Sequence, residues 1–187
     1  MTGTSAAENL TDLKGFVYLL AQGKPDGFII MDIGAGQGLY YNVLHDIPGV
    51  QMEAIEVWEP SVEAFKLREK YAFVWSIDVR NLPDMAYAQT DMVIMGDVLE
   101  HLPVEDAVKV FMQAYNSGAW VVVSVPNSHY PQGAIDGNHY EEHLILDPPK
   151  ELIPHLPTAE VFWDYPVTNT YIYKNREVIL QKERESE

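Results

Sequence analysis

The chain has no cysteine. That excludes disulfides, zinc–thiolate centres and thiol nucleophiles, and makes a cytoplasmic setting the expectation. Basic residues are scarce: 12 Lys and Arg stand against 28 Asp and Glu, for a formal net charge of −16. Nucleic-acid affinity comes largely from Lys and Arg on phosphates, so this balance argues against a nucleic-acid partner. No apolar run approaches the ~20 residues that span a bilayer, and no membrane partner is expected. The start, Met1-Thr2-Gly3-Thr4-Ser5-Ala6-Ala7-Glu8, lacks the basic and apolar blocks of a signal peptide. There is also no Gly-Lys-Ser/Thr triplet, which removes the phosphate loop of nucleotide triphosphatases.

What is present is an alternation of strand and helix patterns. Leu10 to Ala21 reads as a helix with Leu13, Phe16, Val17 and Leu20 on one face, capped by Asn9 or by Thr11-Asp12. Strands are predicted over Phe28–Ile33, Val50–Val57, Phe73–Ile77, Asp91–Met95 and Trp120–Val125. A helix follows the first strand and is closed by Pro48-Gly49; others run from Pro60 to Lys70, around Val104–Tyr115, and from Pro148 through His155. The tail holds three strand-like runs, Val161–Tyr165, Thr170–Tyr173 and Glu177–Leu180, two of which would pair as a hairpin. Near-continuous apolar strands argue for a sheet buried on both faces. The expected fold is α/β: a doubly wound, mostly parallel seven-stranded sheet of Rossmann-like type, with helices on both faces and an antiparallel C-terminal hairpin. One domain of 187 residues is expected, divided into an N-terminal helical segment (1–24), a cofactor-binding core (28–127), a substrate-side loop (126–147) and a C-terminal helix with strands (148–187).

The most informative stretch is Met31-Asp32-Ile33-Gly34-Ala35-Gly36-Gln37-Gly38, where an apolar strand ends in an acid and glycine then falls at every second position. Glycine tolerates positive φ and lets a ligand approach bare backbone. A dinucleotide fingerprint needs its third glycine one place later, and position 39 is leucine. The acid-x-Gly-x-Gly-x-Gly pattern resembles the first motif of the class I S-adenosylmethionine-dependent methyltransferases. Adenosylmethionine carries a sulfonium and an ammonium group but no phosphate, so an acid in the turn attracts rather than repels it.

Further motifs follow in the family's order. Glu56-Val57 ends the second strand about 20 residues past the glycine turn, where an acid commonly accepts from ribose hydroxyls. Asp78-Val79 follows the third strand; the resemblance gives Asp78 the adenine amine and Val79 a backbone N–H and an apolar wall, while Asp78 also reads as an ordinary helix cap. Asp97-Val98-Leu99-Glu100-His101-Leu102 resembles the block after the fourth strand, with Asp97 and Val98 toward the methionine end of the cofactor. The resemblance thus implies S-adenosyl-L-methionine as cofactor, held by Asp32, Gly34, Ala35, Gly36, Gly38, Glu56, Val57, Asp78, Val79, Asp97 and Val98. The implied reaction is methyl transfer to an oxygen, nitrogen or carbon nucleophile of a small or saccharide-like acceptor.

Imidazole titrates near neutrality, so His101, His129, His139 and His143 are candidate general bases. Gly137-Asn138 through His143-Leu144, followed by Pro148, resembles a loop of many family members in which a Gly-Asn, a histidine and a Pro-led helix occur; His143 is favoured from that resemblance, with His101 second, and no metal site is assigned. Two rival readings have their own signals. His139-Tyr140-Glu141-Glu142-His143 matches the H-x-x-E-H zinc-hydrolase pattern, with His139 and His143 as ligands and Glu142 as base, provided the segment is helical. A non-catalytic adenosylmethionine-binding regulatory module would carry the same cofactor motifs.

Overall fold

Strands that are apolar at every position need cover on both faces, and two separate buried layers provide it in the structure, a computed structural model that describes residues 7–24 and 26–186. The strands are β1 (Phe28–Ile33), β2 (Val50–Ile55), β3 (Phe73–Trp75), β4 (Met92–Gly96), β5 (Trp120–Pro126), β6 (Val161–Asp164) and β7 (Thr168–Lys174). They form one sheet in the order β3-β2-β1-β4-β5-β7-β6. The first five are parallel, and β7 pairs antiparallel with both β5 and β6. Ile30, Met92, Ile94, Val122 and Ile172 point to one layer, under helices α1 (Ala7–Gln22), α2 (Leu39–Leu44), α3 (Glu59–Ala64) and α4 (Leu67–Lys70). Their sequence neighbours Met31, Val93, Met95, Val121, Val123 and Tyr173 point to the other, under α5 (Val104–Asn116) and α6 (Pro148–Glu151). Successive strand side chains alternate in direction, so each strand feeds both cores. The expected α/β fold with an antiparallel C-terminal hairpin is what forms.

Local departures have local causes. The helix expected from Pro60 to Lys70 breaks at Lys66, whose φ is 54°. Val62 and Leu67 are both buried, but five residues apart they would face different sides of one helix. The left-handed residue resets the register so that both reach the core. The helix expected from Pro148 to His155 ends at Glu151 and resumes as a short 3-10 turn over Ile153–His155. Pro154 has no N–H to give and would clash with a continuous turn. The expected caps Asn9 and Thr11-Asp12 lie inside α1, and the Asp12 carboxylate instead accepts from the Tyr165 hydroxyl at 2.5 Å.

The largest correction is in the tail. Glu177–Leu180 is not a strand but part of helix α7 (Arg176–Ser186). Its long unbranched side chains favour helix, and the Asn175 side-chain oxygen accepts from the Val178 N–H near its start. The hairpin is made by β6 and β7. No helix among the described residues is long and apolar enough to cross a membrane.

Candidate functional site

Strand order reverses between β1 and β4, and the polypeptide leaving their carboxyl ends diverges to either side. A crevice of about 300 Å³ opens there. Its first wall is the expected one: Gly34, Gly36, Glu56, Val57, Asp78, Val79, Asp97 and Val98 all line it. Asp32, Ala35 and Gly38 do not; they lie behind the lining. A larger hollow of about 470 Å³ lies beside α5, between Asp84, Lys109, Met112 and Gln113, and no strand-end residue reaches it.

The glycine turn is left-handed at Gly34 (φ 69°), Gly36 (φ 51°) and Gly38 (φ 78°), a conformation that favours residues without Cβ. A Cβ at Gly34 would also lie 2.5 Å from Val98 Cγ2. Glu56 lies just past the end of β2 and braces this turn. Its Oε2 accepts from the Gly36 N–H at 2.8 Å and its Oε1 from the Trp58 N–H at 2.7 Å. Each oxygen keeps one further acceptor position. Burial pushes the Glu56 pKa up, opposed by these two amides.

Asp78 does both things its position allowed. It caps the 3-10 turn over Val79–Asn81 by accepting from the Arg80 N–H, and it also lies on the crevice wall. The Arg80 guanidinium grips both its oxygens and holds its pKa below the ordinary range. Asp32 sits behind the turn, fully buried, and accepts from the Tyr71 hydroxyl at 2.5 Å. Burial raises its pKa to about 7.

The facing wall is the loop expected to meet substrate, and it supplies Asn138, His139, Tyr140, Glu141 and Leu144. The loop is tied to the sheet through the main chain: the Glu100 carbonyl accepts from both Leu144 N–H (2.8 Å) and Ile145 N–H (3.0 Å). Sequence reasoning did not single out Asn138, Tyr140 or Glu141 as lining residues. The loop returns through these backbone bonds and through the His101 ring on the Glu142 carbonyl, contacts that no local pattern around residues 138–141 marks. Ile77 and Arg80, also on the wall, flank Asp78 and were within reach of the strand-end argument.

His101 lines the crevice, and His143 lies against it with ring centroids 4.8 Å apart. Burial lowers both pKa values, so each ring is neutral near pH 7. The His101 Nδ1 meets the Glu142 carbonyl at 3.1 Å, and the His143 Nδ1 meets the Tyr130 carbonyl at 2.6 Å. A carbonyl only accepts, so both Nδ1 atoms donate here, which in a neutral ring leaves the lone pair on Nε2; the Asp97 and Glu141 main chains also lie close to the His101 ring. His129 is exposed and does not line the crevice.

The H-x-x-E-H segment lacks the helix its zinc reading requires. It holds a single 3-10 turn over His139–Glu141, and exposed His139 turns to Glu142 while His143 turns to Tyr130. Instead, ligand atoms of Glu100, His101 and His143 lie within 4.8 Å of one another. Glu100 is fully buried, and neither carboxyl oxygen has a hydrogen-bond partner among the described residues. Burial, then the nearby Asp97 carboxylate, pushes its pKa well up.

Residues 31–123 match the family model described as a methyltransferase domain. No curated protein matches the sequence. Among solved structures, the N-terminal domain of EvdMO1 with SAH bound is 16% identical, with a TM-score of 0.60 over 87% of this chain and 79% of that one. The same domain was also crystallised in the presence of SAH and D-fucose. Magnesium protoporphyrin IX methyltransferase (ChlM) from Synechocystis PCC 6803 with bound SAM is 18% identical, with a TM-score of 0.55 over 88% and 77%. The PH0226 protein from Pyrococcus horikoshii OT3 is 14% identical, with a TM-score of 0.61 over 91% and 92%. Identities this low speak to the fold. The family match, with the glycine turn inside it, places this chain among the class I S-adenosylmethionine-dependent methyltransferases. Its cofactor is S-adenosylmethionine, and the bare backbone at Gly34 and Gly36 beside a carboxylate suits a ligand without phosphate.

Proposed function

We propose that this methyltransferase acts on a small, saccharide-like acceptor that enters between the glycine-turn wall and the 138–144 loop. One observation carries the reading: the crevice at the strand-order reversal joins Glu56 and the bare glycine backbone on one side to a histidine-bearing loop on the other. The EvdMO1 domain, crystallised in the presence of D-fucose, supports the saccharide-like class. A cysteine-free composition suits the cytoplasm, where we place the reaction.

Glu56 accepts from the ribose hydroxyls through the positions its backbone partners leave open. Asp78 accepts from the adenine amine, and Val79 packs against the ring and offers its N–H. Asp97 and Val98 meet the methionine end, and Asp32, Ala35 and Gly38 shape the turn from behind. Bound S-adenosylmethionine supplies a methyl group already activated by sulfonium charge for in-line displacement, so alignment and exclusion of water are the protein's main tasks. For an oxygen acceptor, a neutral imidazole at His101 or His143 offers a lone pair to the hydroxyl proton or to a cation that binds the oxygen. For an amine acceptor that help is dispensable.

The test is calorimetry with S-adenosylmethionine and its demethylated product, followed by labelled-methyl transfer across sugars, phenols, amines and carboxylates. Incorporation into a hydroxylated sugar is the expected result. Tight cofactor binding with no acceptor methylated would instead identify a regulatory module, and incorporation only into phenols or amines would overturn the acceptor class.

A further inference from the structure

We propose that Glu100, His101 and His143 form a binding site for one first-row divalent cation, of the zinc, cobalt or manganese class, at the acceptor end of the crevice. The site itself rests on local geometry; its use, presenting a cation to the oxygen donors of an acceptor, rests on the function proposed above.

Three observations converge. The ligand atoms of the three residues lie within 4.8 Å of one another, a spread that side-chain rotation can close onto bonds of ~2.1 Å. Glu100 is 0% exposed and neither carboxyl oxygen is hydrogen-bonded among the described residues. An ionised carboxylate buried in this way is costly. A cation satisfies the carboxylate directly. The Asp97 and Glu141 carboxylates act on Glu100 in the same sense, so the region gathers negative charge.

The third observation is the orientation of the rings. Nδ1 of His101 donates to the Glu142 carbonyl and Nδ1 of His143 to the Tyr130 carbonyl. Metal-binding histidines are commonly oriented in this way, with the second nitrogen donating to a carbonyl or carboxylate so that the first presents its lone pair. Two imidazoles and one carboxylate leave coordination positions open for exogenous oxygen donors. His101 stands on the crevice wall, which puts the ion beside the acceptor space.

The experiment is a Co²⁺ titration of metal-stripped protein, read by visible absorption and calorimetry. Wild-type protein should bind one equivalent and develop ligand-field bands distinct from those of aqueous Co²⁺. His143→Ala should weaken binding by about 100-fold or more, beyond what loss of an outer-shell partner costs. Glu100→Gln should do the same; because that side chain is buried, a melting curve accompanies it. His143 is only half-buried, so its variant keeps the test decisive if the Glu100 variant fails to fold. His139→Ala should leave Co²⁺ affinity unchanged, which separates this site from the H-x-x-E-H motif. Wild-type protein that ignores Co²⁺, or a His143→Ala variant that binds as tightly as wild type, overturns the proposal. Calorimetry with the demethylated cofactor on the same samples keeps the two readings apart: cofactor binding without Co²⁺ binding removes the metal site alone, and loss of both removes the function as well.

Discussion

Two buried glutamates, Glu56 on the crevice lining and Glu100 behind it, stand in very different surroundings. Glu56, 7% exposed, has one backbone N–H on each oxygen. Glu100, 0% exposed, has a hydrogen-bond partner on neither. The first wall is therefore complete before any ligand arrives: the carboxylate on the crevice lining also holds the glycine turn in shape. Behind the lining, Glu100 is a charge-bearing group that the described residues do not satisfy with a hydrogen bond. A pre-formed wall suits a constant ligand, whereas an unsatisfied buried group is built to be completed from outside.

The largest expected effect breaks the first wall. Gly34→Val would place a branched side chain at a φ of 69° and against Val98, so affinity for the demethylated cofactor should fall by about 100-fold or more in calorimetry. Unchanged affinity would remove the turn from the binding site.

Asp32 tests what lies behind that wall. Its pKa rises from 3.8 to about 7 on folding, so between those values the folded state holds a proton the unfolded chain has lost. Stability should then fall as pH rises from about 4 to about 7, by up to ~1.4 kcal/mol per pH unit, and level off above that. Urea melts across this range check it, and Asp32→Asn should flatten the slope.

Removing each glutamate sharpens the comparison. Glu56→Ala strands two backbone N–H groups, and should weaken cofactor binding by about 10- to 100-fold (~1–3 kcal/mol) and lower the melting temperature. Glu100→Leu breaks no side-chain hydrogen bond and removes a buried acid, so the metal-free protein should melt higher, by the equivalent of ~1 kcal/mol. If both variants melted lower by the same amount, the contrast between the two glutamates would be lost. The smallest effect is expected at Arg80→Ala: it frees a partly exposed Asp78, and cofactor affinity should change by only a few-fold (under ~1 kcal/mol).

Much of the first wall was legible because its requirements are local. Glycines at alternate positions after an apolar strand mark a turn with bare backbone, and Glu56 and Asp78 stand just beyond strands whose ends the apolar pattern located to within two residues. Asp32 was less transparent: the motif identified it, but only packing against Tyr71 put it behind the lining. The Lys66 break was signalled by the five-residue interval between Val62 and Leu67, although the continuous helix pattern around it reads more strongly. Glu177–Leu180 misled because so short a run, apolar at Val178, Ile179 and Leu180, does not distinguish strand from helix.

By itself, the sequence determined the α/β class, the methyltransferase family and the glycine-turn wall of the crevice, because alternation, glycine placement and strand ends are written in consecutive residues. Only the tertiary structure decided that the loop carrying His143 folds back onto the Glu100 carbonyl, and that His101, His143 and a buried carboxylate with no hydrogen-bond partner meet beside the acceptor space. Burial and convergence depend on which distant segments pack together, and no local pattern encodes them.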